Sequence, residues 1–162
     1  MSEIENNVSD AMQRFGITFA THYAGETVKF EGKTVDHYRV RFSKQGAEPY
    51  DTDFYQGLGN RGPAPKPTDG GPAPRRGTLM YEQLEAQRKP IAPNAASVLY
   101  CLLSDAEALD QSFSDWAGNF GYDTDSRKAL ATYETCCDAG REMRRLFTAA
   151  QRDELRDLLQ DY

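Results

Sequence analysis

The chain has 162 residues, of which 39% are hydrophobic and 11% aromatic, with a net charge of -6 and a pI near 5.0. That length supports one domain with a modest core, and 8 Phe, 9 Tyr and 1 Trp argue against general disorder. No apolar run approaches the roughly 18–20 residues that cross a bilayer, the polar opening MSEIENNVSD does not read as a signal peptide, and Cys101, Cys136 and Cys137, without a CxxC spacing, point to reduced thiols in a cytoplasm.

In chain order, residues 1–14 read as a flexible leader. Residues 15–56 then alternate with period 2, the signature of half-buried strands. In GITFATHY, Ile17, Phe19 and Tyr23 oppose Thr18, Ala20 and His22. In TVKFEGKTVDHYRVRF, Val28 and Phe30 precede a turn centred on Gly32; Tyr38, Val40 and Phe42 then share one face while Arg39 and Arg41 take the other. A turn at KQGAEP leads into YDTDFYQG. The pattern predicts an antiparallel β-meander of three to four strands.

Residues 57–78 are dominated by Gly and Pro and predict a flexible loop. Gly57, Gly59 and Gly62 form a literal GxGxxG, but Pro63, Pro65 and Pro67 follow where a nucleotide-binding helix would have to open. From residue 91 to 162 the period becomes helical. Asn94 caps a helix carrying Val98, Leu99, Leu102 and Leu103. Ser112 caps a short helix with Trp116 and Phe120 inward and Gly121 as its stop. Asp123, Thr124 or Asp125 caps a longer helix with Leu130, Tyr133, Cys137, Gly140 and Phe147 near one face; Gly140 there is either a close-packing point or a tolerated weak spot. Thr148 and Gln151 form a capping box for a last helix that turns Leu155, Leu158 and Leu159 inward. The expected architecture is α+β, a sheet followed by a helical bundle within a single domain.

The segment Ser104–Ser126 contains Asp105, Glu107, Asp110, Asp115, Asp123 and Asp125 and no Lys or Arg. Part of this charge has a structural explanation, because carboxylates are favourable at helix N-termini, and Ser104 with Glu107 could form a further capping box. The remainder is either a solvated surface or a face made to meet a basic groove, with carboxylates standing in for phosphates. Asp123 and Asp125 form a DxD, but Arg127 and Lys128 stand where a calcium loop needs an oxygen ligand and glycine. A zinc site is disfavoured because Cys136 and Cys137, adjacent on a helix, point about 100° apart. No nucleophile signature is present, and the expectation is a protein without a cofactor and without a catalytic residue.

The alternative set is basic. Arg39 and Arg41 on the sheet, with Arg75 and Arg76 in the loop, could hold single-stranded nucleic acid, although strand alternation keeps the arginines off the aromatic face. Residues 91–162 carry seven basic and thirteen acidic side chains, so that part repels nucleic acid.

The run SFSDWAGNFGYDTDSRKALATYETC, Ser112 to Cys136, resembles the C-terminal part of small proteins of unknown function encoded by bacteriophages and other mobile elements. The matching residues are Phe113, Asp115, Trp116, Gly121, Tyr122, Asp123, Asp125, Ser126, Arg127, Lys128, Thr132, Tyr133 and Cys136. The likeness extends weakly to Val98 and to VDHYRVRF, while the Pro/Gly-rich segment and the last helix depart from it. The resemblance implies a setting, the cytoplasm of a bacterial host, and assigns no reaction. In that setting the expectation is a small interaction protein that inhibits a host nucleic-acid-handling defence system, of CRISPR-effector or restriction-enzyme type. Its expected partner is a host protein or ribonucleoprotein with a basic groove, and homodimerisation stays open. The alternative is an accessory factor that binds single strands in phage replication or recombination.

Overall fold

A computed structural model describes residues 2–162. Helix takes up 48% of the chain and strand 20%, with the three strands at the N-terminal side of most of the helices, so the fold is α+β as the periodicities predict. The strands are β1 (Ile17–Lys29), β2 (Lys33–Lys44) and β3 (Tyr50–Gly57), antiparallel in the order β1-β2-β3. The stretches ITFATHY and TVK join into one long β1, which sets the number of strands at three. On β2 the alternation holds: Tyr38, Val40 and Phe42 are buried, whereas Arg39 and Arg41 are exposed. Val28 and Phe30, at the β1–β2 turn, are both exposed. By their contacts the described residues divide into two compact units, one of residues 2–20, 41–51 and 94–162 and one of residues 21–40 and 52–93. Among the described residues no helix is long and apolar enough to cross a membrane.

In the first unit, α1 (Glu3–Phe15) occupies most of the stretch expected to be a flexible leader. The expectation fails because Ser2 and Glu5 close a capping box, and Val8, Ala11 and Met12 fall on one face at helical spacing and are buried. Glu5 also accepts a hydrogen bond from the Asn94 amide at 3.0 Å, which ties α1 to the cap of α3 (Ala95–Asp105). After α3 comes a 3-10 turn, Ala106–Asp110, then α4 (Phe113–Phe120), α5 (Arg127–Leu146) and α6 (Ala149–Leu158). Asn94, Ser112 and Thr148 cap as the sequence predicts, Thr148 in a full box with Gln151. The cap of α5 is Ser126, one residue beyond the candidates Asp123, Thr124 and Asp125. Ser104 caps nothing. It lies within α3 and donates to the Tyr100 carbonyl, so the Ser104–Glu107 box does not form.

The core of this unit contains Leu99, Met143, Leu146, Phe147 and Leu155, all essentially without exposed surface. Gly140 is the close-packing point between α5 and the 3-10 turn: a Cβ built there would lie 2.6 Å from Leu109 Cδ1 and 3.1 Å from Ala106 Cα. Leu130 is exposed rather than on the buried stripe.

In the second unit, the segment expected to be a flexible loop is fastened at its start. Leu58–Asn60 form a 3-10 turn, and the Arg61 guanidinium donates to both carboxylate oxygens of Asp36, at 2.9 and 2.7 Å, and to Glu26 at 2.6 Å. Arg88 holds the same stretch through the carbonyls of Gly59, Arg61 and Gly62. A short helix, α2 (Leu79–Glu85), follows, capped by Thr78. The irregular part is therefore residues 61–77, shorter than the glycine and proline content suggests.

Candidate partner-binding surface

The acidic segment begins at the C-terminal end of α3, runs through the 3-10 turn and α4, and ends at the cap of α5, all within the first unit. Its local shape is set at Gly121. With φ of 73° at Gly16 and 72° at Gly121, both positions use the left-handed conformation that glycine adopts without a Cβ penalty. At Gly121 it terminates α4 in a paired stop: Gly121 N–H donates to the Gly118 carbonyl at 3.3 Å and Tyr122 N–H to the Ala117 carbonyl at 2.8 Å. That stop folds Tyr122 back onto the helix it has just left. Its ring stacks on Trp116, with centroids 5.3 Å apart and planes 17° apart. Phe120 packs against the same indole at 5.2 Å.

Trp116 is buried, as expected. Phe120 is not: it is 63% exposed, and Tyr122 is 48% exposed. Helical periodicity placed Phe120 inward, but it is the last residue of its helix and the chain turns away immediately after it. The result is an aromatic wall along a cavity of about 270 Å³, lined also by Asp105, Glu107 and Cys136.

The six carboxylates fall into three situations. Asp105, the last residue of α3, and Glu107, in the 3-10 turn, meet at the aromatic cavity. Much of Asp105 is open to solvent, yet desolvation of its carboxyl raises its pKa above the ordinary carboxylate range, partly offset by the Cys136 thiol, which donates to it. Burial, and then the charge of Asp105, push Cys136 up to about 11, so it stays a neutral donor and is no nucleophile at neutral pH. Asp110 differs because Arg144 reaches it from α5 at 2.8 Å. Both side chains are largely exposed, so the pair contributes at most about 1 kcal/mol, but it removes Asp110 from the uncompensated set. A cation 34 positions away was invisible in the composition of the segment.

Asp115, Asp123 and Asp125 are exposed and near helix starts. Asp115 lies in the first turn of α4, behind the Ser112 cap. Asp123 accepts the Asp125 N–H at 3.0 Å, a local turn bond. No Lys or Arg among the described residues lies within ion-pair distance of Asp105, Glu107, Asp115, Asp123 or Asp125. The DxD is not joined by a third ligand: no group of three or more His, Cys, Asp or Glu among the described residues is placed to hold a metal ion.

The basic alternative is arranged differently. Arg39 donates to Asp53 at 2.6 Å, and Arg41 holds Asp51 with two bonds, at 2.7 and 2.8 Å. Their donors are engaged by β3 rather than presented to phosphates. Arg75 and Arg76 are exposed in the irregular segment.

Trp116, Phe120, Tyr122 and Cys136 were missed as members of a site. The one sequence signal was the pair of aromatics on either side of Gly121: both cannot face inward across a helix stop. Comparison with known protein families, curated proteins and solved structures finds no match.

Proposed function

We propose that this chain is a non-catalytic interaction protein of a phage or related mobile element, which inhibits a host nucleic-acid-handling defence machine by seating its acidic helical surface in a basic groove. A CRISPR effector or a restriction enzyme is the kind of target meant. The observation that carries the reading is the set of five carboxylates, Asp105, Glu107, Asp115, Asp123 and Asp125, on one continuous segment without a cation in ion-pair reach. Unpaired like charges repel one another and lower stability slightly, a cost that a groove lined with Lys and Arg would offset on binding. The likeness of Ser112–Cys136 to phage-encoded chains supports the setting.

The test is capture of candidate nucleases and CRISPR subunits by the tagged protein, with binding and washing both carried out at each of two salt concentrations. Wild type is expected to retain one nucleic-acid-handling protein at low salt and lose it at high salt. The double variant Asp115→Lys/Asp125→Lys should abolish capture; unchanged capture would show that this face is the wrong one. The second reading, single-strand binding through Arg39, Arg41, Arg75 and Arg76, has less support because Asp53 and Asp51 already engage two of the four. A gel shift with a short single-stranded oligonucleotide at low salt should show no complex; a clear shift would move the assignment to the accessory factor.

A further inference from the structure

We infer that the cavity between the end of α3, the 3-10 turn and α4 is a receptor for the guanidinium group of a single arginine side chain on a protein partner. The inference rests on the reading of this surface as a partner-binding face, but not on which partner it meets.

Three features of the cavity agree on that chemistry. Its wall is aromatic and exposed: Phe120 and Tyr122 leave 63% and 48% of their surface in water, while their ring contacts with Trp116, tilted for Phe120 and stacked for Tyr122, and the paired stop at Gly121 hold them in place. Aromatic faces attract cations through their quadrupole, and guanidinium, which is planar and weakly hydrated, stacks on them better than ammonium does. Asp105 and Glu107, which line the same cavity, supply the counter-charge, and among the described residues no Lys or Arg lines it. An anion is thereby excluded. The volume, about 270 Å³, lies just below the usual range for small-molecule sites and suits one long side chain rather than a nucleotide. The desolvated Asp105 carboxyl, whose pKa burial raises, is the group that would profit most from an arriving cation. A purely apolar occupant would instead leave both carboxylates without a cation, Asp105 keeping only the Cys136 thiol.

Trp116 is the chain's single tryptophan, so its fluorescence reports on this wall alone. The experiment titrates the intact protein with the capped tripeptide Gly-Arg-Gly, and in parallel with Gly-Lys-Gly and with Gly-citrulline-Gly, which keeps the shape of arginine without its charge. Saturable change is expected with the arginine peptide, several-fold weaker with lysine and absent with citrulline. Phe120→Ala and Glu107→Gln should each weaken the arginine peptide by about two- to fivefold, with a cooperative unfolding transition retained in both variants. Equal response to lysine would overturn the guanidinium assignment, equal response to citrulline would make the cavity an apolar site, and no response to any peptide would remove it.

Two further outcomes separate this inference from the function proposed above. Salt-sensitive capture that survives Phe120→Ala, with no peptide response, leaves the acidic face standing and the pocket refuted. A peptide response together with capture that Asp115→Lys/Asp125→Lys does not touch supports the pocket and refutes the wider face.

Discussion

Among the described residues Asp36 is the one buried charged side chain, 1% exposed, and its surroundings show what a carboxylate needs to be kept there. Arg61 donates twice to it and Tyr23 once, at 2.9 Å, which satisfies most of its acceptor capacity. The hydrogen bonds from Arg61 hold its pKa below the ordinary value against the opposing effect of burial. Tyr23 and Tyr38 are pushed up, chiefly by burial, so both stay neutral; Tyr23 donates to Asp36, whereas the buried Tyr38 hydroxyl has no hydrogen-bond partner among the described residues. Removing Arg61 leaves a buried charge with one neutral donor, so Arg61→Ala should lower stability by about 3–5 kcal/mol in urea unfolding at pH 7. The sign of the pH dependence follows from the depressed pKa. The stabilisation from Asp36 is fully present above its unfolded pKa of about 3.9 and is lost as pH falls through the lower folded value. The stability difference between wild type and Arg61→Ala should therefore narrow below about pH 4, and a constant difference from pH 7 to pH 3 would mean that the ionised pair is not what holds the segment. None of this was legible in the sequence: Arg61 reads there as one cation of a glycine- and proline-rich loop, and its partner lies 25 positions upstream.

At the scale of elements, legibility tracked how much of the answer was local. The β-meander was readable because alternation and glycine turns are short-range properties, and so were the caps at Asn94, Ser112 and Thr148. α1 was missed because its buried stripe is only Val8, Ala11 and Met12 among polar residues; the Ser2–Glu5 capping box was the overlooked local signal. The aromatic wall was missed for a different reason: period 3.6 says where a residue points within a helix, not what happens at its end, where the Gly121 stop turned Phe120 outward. Gly140 tests how far helix propensity can be trusted. In an open helix Gly→Ala stabilises by about 1 kcal/mol, and Gly118, in α4 with no atom within 4 Å of a built Cβ, should behave in that way. At Gly140 the same methyl meets Leu109 and the Ala106 backbone, so the 3-10 turn must shift or strain. Gly140→Ala is expected to destabilise by about 1–2 kcal/mol net, overpacking outweighing propensity. Denaturant midpoints for the two variants should move in opposite directions; parallel shifts would mean that α5 and the 3-10 turn are less closely packed than the geometry requires.

Across the whole molecule the charge is segregated along the sequence. Residues 57–90 carry six basic and three acidic side chains, whereas residues 91–162 carry seven and thirteen, within a net charge of -6. A chain of this kind should meet a basic partner by long-range attraction and then be retained by short-range contacts, and these two contributions respond differently to salt. Long-range attraction between exposed charges is screened over about 10 Å at 0.1 M salt. The association rate with a captured partner should therefore fall steeply as ionic strength rises, by about tenfold or more between roughly 50 and 300 mM, while dissociation changes little. Asp115→Lys and Asp125→Lys lie outside the aromatic cavity and should act mainly on association. Phe120→Ala changes no charge and should act mainly on dissociation. Surface plasmon resonance at several salt concentrations separates the two. If Phe120→Ala slowed association as much as the charge reversals, steering and anchoring would not be distinct, and the acidic segment would be acting as a solvated surface beside some other contact rather than as the guide that brings the partner to the aromatic wall.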